Sequence, residues 1–196
     1  MSKFIVLLYV MLIGLLTACS AEQPSEASFI ATDITGAEFA KDFRLTDHTG
    51  VERKLADFQG KAVVLFFGYT HCPDICPTTM ADLASAMKLL GEQSNEVQVV
   101  FVTLDPERDT PQVLAQYVPS FDQRFLGLYG TAEQTARVAK DFKVFYAKQD
   151  MPGGKSGYTV DHAAGIYGFD KAGNIRLYFK YGQKPAEIVH DLKQIL

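Results

Sequence analysis

Two nearly unbroken apolar runs limit what this chain can fold into more than any other feature. Ala62-Val63-Val64-Leu65-Phe66-Phe67, closed by Gly68, is the first, and Val97 to Leu104 (VQVVFVTL) is the second. A strand with one wet face alternates apolar and polar residues. A continuous run instead suits a strand covered on both faces, as in parallel sheets. Between the runs, Met80, Leu83, Ala84, Met87 and Leu90 recur at helical spacing, and Gly91 follows as a stop. This spacing predicts a helix from about Thr78 to Leu90 with Met80 and Met87 in the core. Strand, helix, strand in that order reads as a right-handed βαβ unit with parallel pairing.

The rest of the chain extends this unit. A helix is expected from Pro111, with Asp109 and Thr110 as caps, and another from Ala132 to Phe142. Gly165–Asp170 and Ile175–Lys180 flank Lys171-Ala172-Gly173-Asn174, whose glycine and asparagine suit a hairpin turn. A closing helix from Pro185 to the end places Ile188, Leu192 and Ile195 on one face. Two short strands are expected near Phe43-Arg44-Leu45 and Val51-Glu52-Arg53. The order resembles the thioredoxin-like fold: an α/β chain with a central mixed sheet flanked by helices and an extra N-terminal β-hairpin. A hydrophobic share of 47% is ample for one core.

The first residues read as an address. Lys3 precedes a thirteen-residue apolar run from Phe4 to Leu16, a signal-peptide length and short of the roughly 20 residues a membrane span needs. Leu16-Thr17-Ala18-Cys19 resembles the lipobox of bacterial lipoproteins, which implies cleavage before Cys19 and lipidation of that cysteine. Ser20 to Ser28 (SAEQPSEAS) is polar and small, a tether spanning at most about 30 Å. The expected organisation is a signal peptide over 1–18, lipidated Cys19 and tether over 19–28, and one domain over 29–196. That places the domain on the extracytoplasmic face of a bacterial membrane, periplasmic side or cell surface, held by a lipid anchor.

The formal net charge is -4, and -5 once Lys3 leaves with the leader. With no run of Lys or Arg, the domain offers nucleic acid no electrostatic partner. The chemistry falls to Cys72 and Cys76, in Gly68-Tyr69-Thr70-His71-Cys72-Pro73-Asp74-Ile75-Cys76-Pro77, where the first strand meets its helix. Pro77 is suited to open the helix, leaving Cys76 at its N-terminus, where the dipole favours thiolate. A C-x-x-x-C spacing either closes as a redox disulfide or holds two sulfurs open around one ion. His48 and His190 read as solvated. His162 follows the breaker-rich loop Met151–Gly157 and precedes the second hairpin, a junction that faces the first helix's N-terminus in a thioredoxin-like fold. Spacing alone leaves it balanced between metal ligand and surface histidine.

Three blocks together resemble the Sco/SenC family: Gly68–Pro77, Asp105-Pro106-Glu107-Arg108-Asp109-Thr110-Pro111, and Val160-Asp161-His162. The resemblance runs from about residue 30 to the end. It implies a membrane-tethered copper chaperone, a metal carrier rather than an enzyme, that helps assemble the copper A centre of cytochrome c oxidase subunit II. It further implies Cys72, Cys76 and His162 as copper ligands, for Cu(I), Cu(II) or both. Asp105, Asp161 and His71 are candidates for orienting those ligands, although Asp105 is equally suited to begin a turn. The expected partners are subunit II or another copper-site client, and a thiol reductant. The alternative is a thiol-disulfide oxidoreductase that reduces the cysteines of a client. The wide cysteine spacing argues against it, as does the absence of proline from Tyr158 to Ile166, where thioredoxins resemble one another in having one. A closed zinc site would be one ligand short.

Overall fold

The computed structural model describes residues 28–151 and 157–196. The expected signal, lipidated Cys19 and nearly all of the tether lie outside the described residues. No helix among the described residues is long and apolar enough to cross a membrane.

The strands in chain order are β1 (Thr32–Asp33), β2 (Arg44–Asp47), β3 (Glu52–Lys54), β4 (Ala62–Gly68), β5 (Val97–Thr103), β6 (Leu126–Tyr129), β7 (Tyr146–Asp150), β8 (Tyr158–His162), β9 (Ile166–Phe169) and β10 (Ile175–Phe179). The helices are α1 (Ile75–Leu90), α2 (Pro111–Tyr117), α3 (Ala132–Asp141) and α4 (Pro185–Leu192). Every residue of β4 is buried, as its unalternating sequence requires. It pairs in parallel with β5, Ala62 opposite Val97 and Gly68 opposite Thr103, and α1 makes the crossover. Its other edge pairs antiparallel with β9, Phe66 opposite Ile166. The sheet order is β1-β10-β9-β4-β5-β6-β2-β3, which makes it mixed and thioredoxin-like, with the β2–β3 hairpin appended beyond β6. Phe66, Phe67, Phe101, Phe169 and Phe179 fill the centre from neighbouring strands. Burying each such ring is worth about 1.5–3 kcal/mol.

Met80 and Met87 are buried as expected. Gly91 ends α1 at φ 62°, a conformation that costs glycine nothing. The helix, however, starts at Ile75 and not near Thr78, with Asp74 at its N-cap. Pro77 is therefore its third residue, a position that also lacks an intrahelical acceptor for an N–H, so proline fits there too. The closing helix ends at Leu192, short of the terminus.

Strands β1, β6, β7 and β8 were not anticipated. Strand β6 is four residues with a central Gly127, and β7 (YAKQD) is mostly polar and exposed, so neither shows the pattern of a buried strand. Strands β7 and β8 form their own two-stranded sheet, Tyr146 opposite His162 and Asp150 opposite Tyr158. His162 thus ends the second strand of a hairpin, and most of the segment read as a loop before it, 152–156, lies outside the described residues. His48, expected to be solvated, is half-buried and its Nδ1 accepts from the Gly127 N–H at 3.1 Å.

The appended hairpin is held by one buried carboxylate. Asp47 accepts from Thr49 N (2.8 Å), Thr49 Oγ1 (2.6 Å), Val51 N (3.1 Å) and Arg53 Nε (2.8 Å). Burial alone would raise its pKa, but the bonds from Thr49, Arg53 and the Val51 N–H outweigh it and bring the carboxyl to about 2 from 3.8. A depressed folded pKa contributes stability that is present above the unfolded value and lost as pH falls through the folded one. Asp47→Asn should therefore lower unfolding free energy at neutral pH by about 2 kcal/mol and flatten its decline between pH 4 and pH 2. Urea unfolding at a series of pH values measures both.

Candidate metal centre

The βαβ topology determines where a site can form. Strands β4 and β5 run parallel, so their carboxyl ends and the loops after them lie at one edge of the sheet. The loop after β4 carries Cys72 into the first turn of α1, which carries Cys76. Strand β9 runs antiparallel to β4, so its entry end, Ile166 beside Phe66, meets that same edge. His162 lies just before β9 and is thereby brought to the cysteines from far along the chain.

Cys76 is fully buried and Cys72 partly exposed, and both are free thiols. Cys76 Sγ lies 3.4 Å from His162 Nε2. One ligand atom from each of Cys72, Cys76 and His162 falls within 4.8 Å of the others, a spacing that one metal ion can bridge. The Cys76 N–H, free at the start of α1, points to Cys72 Sγ at 3.5 Å. The helix start therefore serves the sulfur of Cys72, whereas Cys76 was expected to receive it. For Cys76 the dominant effect is burial, which pushes its thiol well up, and the charges of Cys72 and Asp109 add to that. The expected thiolate at Cys76 is thus a protonated thiol in the metal-free protein.

The imidazole of His162 is held in an orientation that suits ligation. Its Nδ1 lies 2.9 Å from the Ala163 carbonyl, which requires the proton on Nδ1 and leaves the Nε2 lone pair toward Cys76. Burial lowers its pKa and keeps the ring neutral. The rings of Phe66 and Tyr69 flank it with centroids at 6.3 and 6.0 Å. Two sulfurs and one fixed imidazole make a soft, incomplete coordination sphere.

The SCO1/SenC family model matches residues 31–196. This chain belongs to the SCO1/SenC family. The bovine mitochondrial protein SCO2 homolog is 39% identical over 155 residues, 78% of this chain and 58% of its own length. The chain thus spans less than two thirds of that relative. The SCO2-like protein of Rickettsia felis is 36% identical over 78% of this chain and 74% of its own. Among solved structures, Bradyrhizobium japonicum ScoI with copper bound is 37% identical, covers 79% of this chain and 98% of its own, and superposes with a TM-score of 0.71.

The residues expected to orient the ligands divide in this Sco/SenC chain. Asp105 is fully buried but touches none of the three; it accepts from Tyr158 Oη at 2.7 Å and from Arg108 Nε. Asp161 is exposed on β8. His71 is exposed too, its Nδ1 3.1 Å from Thr70 Oγ1 and 3.6 Å from Asp109 Oδ1. The residue that sequence reasoning underrated is Asp109, taken only as a cap. It is buried and accepts from Thr70 N (2.9 Å), Thr70 Oγ1 (2.6 Å) and Thr103 Oγ1 (2.6 Å), which ties the cysteine loop to the end of β5. Its place in the second signature block, four residues after Asp105, was the available signal.

Gly68 sets how closely the metal centre approaches the sheet. A Cβ there would sit 2.8 Å from Cys76 Sγ and 2.9 Å from Phe101 Cε2, contacts that real Cβ atoms do not make. Gly68→Ala should therefore push Cys76 outward and cost about 1–3 kcal/mol of stability. In a Cys72→Ser background it should also speed alkylation of Cys76. Denaturant unfolding and a timed alkylation assay report the two effects separately.

Proposed function

We propose that this chain is a membrane-tethered copper chaperone. It takes one copper ion through Cys72, Cys76 and His162 and passes it to a client, the copper A centre of cytochrome c oxidase subunit II. The observation that carries this reading is the convergence of two sulfurs and one Nε2 within 4.8 Å, from segments 86 residues apart. The donor set suits the cargo: thiolates select Cu(I), and imidazole suits copper in either oxidation state. Three ligands leave a coordination position for an incoming donor, so the ion can pass between proteins without becoming free. The copper-bound state of the Bradyrhizobium relative and the family resemblance support the same cargo. Lipidated Cys19, with the tether to Ser28, would keep the domain near a membrane-bound client on the extracytoplasmic side.

Loading requires reduced cysteines, so a thiol reductant is a second expected partner. One observation also favours a narrower redox role for the same pair: Cys72 is partly exposed while Cys76 is buried. Cys72 would attack a client disulfide, forming a mixed disulfide and freeing one client thiolate. Cys76 would then attack Cys72, releasing the second client thiol and leaving a Cys72–Cys76 disulfide. Two electrons pass to the client, and the reductant restores them.

An anaerobic copper titration of the reduced chain against a competing chelator tests the main reading. One copper per chain is expected, with affinity reduced by more than about tenfold in each of Cys72→Ser, Cys76→Ser and His162→Ala. Weak binding indifferent to His162, together with a readily cycled disulfide, would favour the reductase. Because buried Cys76 is protonated when metal-free, copper must displace its proton. Between pH 6 and pH 8 the apparent affinity should rise about tenfold per pH unit from this thiol alone, and Cys76→Ser should reduce the slope by one.

A further inference from the structure

The hairpin that carries His162 is not part of the main sheet. Strands β7 and β8 pair only with each other among the described residues. A lone two-stranded hairpin is marginal in water, so its seat on the body must come from side chains. Along β8, Tyr158, Val160 and His162 share one face, with Val160 buried and Asp161 exposed between its neighbours. His162 is at one end of that face, over the sulfurs. Tyr158 is at the other, about 13 Å away along the strand.

The Tyr158 end is clamped to the turn after β5. Tyr158 Oη donates to Asp105 Oδ1 at 2.7 Å, and the Tyr158 carbonyl accepts from Arg108 Nη1 at 2.9 Å. The Arg108 guanidinium stacks 3.7 Å from the centroid of the Tyr158 ring while its Nε bonds Asp105. Lys148, on β7, pairs with Glu107 at 2.6 Å and lies 4.7 Å from the same ring. Arg108 also sits 5.8 Å from the ring of Tyr69, which flanks His162. The Tyr158 bonds, the Arg108 stacking contacts and the Lys148–Glu107 pair run from the hairpin, or from the ring beside His162, to the segment Asp105–Arg108. None of them touches a sulfur.

We propose that Arg108 and Tyr158 are positioning residues whose clamp on the β7–β8 hairpin sets how long the His162 imidazole stays over Cys72 and Cys76, and hence how fast a bound copper ion is released. The proposal rests on the copper reading above. The clamp suits this task because it is polar and reaches the surface on one side, with the Arg108 side chain 24% exposed above the buried Asp105. It can break and re-form without disturbing the phenylalanine core. The five-residue strand β8 transmits its state to the histidine.

The test uses the full chain with Tyr158→Phe, which keeps the ring under Arg108 but removes the bond to Asp105. A second variant, Arg108→Lys, keeps the charge but lacks the fork that reaches Asp105 and the Tyr158 carbonyl together. Both should lower the melting midpoint by less than about 4 °C. Both should raise the rate of copper release to a chelator at least tenfold. Combined with His162→Ala, neither should raise that rate further, because the clamp acts through the histidine. In the reduced, metal-free protein, the His162 ring resonances should shift or broaden in both variants. Unchanged ring resonances, or a faster release that persists in the His162→Ala background, would overturn the proposal. The ring signal needs no metal, so it tests the clamp even if copper binding proves indifferent to His162, a result that counts against the copper reading alone.

Discussion

The metal centre depends on how strand β4 ends. The strand is buried on both faces, and at Gly68 the sheet surface gives way to the sulfur of Cys76, seated where any side chain would clash. That contact places a thiol in the same close-packed interior as Phe66 and Phe101. It fixes the sulfur's position, and it also suppresses ionisation, since a thiolate there would be poorly solvated. A candidate site built this way holds its deepest donor rigid but protonated, and a bound metal would supply the compensating charge.

From that fixed sulfur the other candidate ligands are added on progressively looser supports. Cys72 lies on the loop after β4, and its sulfur accepts the N–H of Cys76 in the first turn of α1. That loop is tied to β5 through Thr70 and buried Asp109. His162 stands on a hairpin that the main sheet does not include. A graded site of this kind suits an ion that must arrive and leave.

The βαβ unit was legible because continuous apolar runs admit few readings, and the second hairpin because Gly173, at φ 82°, needs a turn. Cys72 and Cys76 were legible for the same reason: they fall where a parallel strand hands over to a helix. What the sequence could not show was direction. Cys76 was expected to gain from the helix dipole, but a start at Ile75 instead of Pro77 turns its side chain into the core and its N–H toward Cys72. A shift of two residues at a helix boundary therefore reversed the predicted ionisation. The hairpin bearing His162 was missed because β7 is short and polar, stabilised by pairing and by the Tyr158 contacts and not by an apolar face.

Asp105 shows how a buried carboxylate is misplaced by sequence proximity. Its position at the end of β5 brings it to the edge of the sheet that bears the cysteines, which argues for direct contact with a ligand. Fully buried, however, it must find donors, and the nearest strong ones are Arg108, three residues on, and the phenol of Tyr158. Once those bonds form, the carboxylate is committed to the hairpin and is no longer available to the sulfurs. Asp109, four residues later, is committed to the cysteine loop through Thr70 and Thr103. One short segment thus carries two buried charges that hold opposite sides of the same centre, one the thiol side and one the imidazole side. That arrangement explains why both aspartates and the arginine between them occur in a single block, although none of the three makes a hydrogen bond to a ligand side chain.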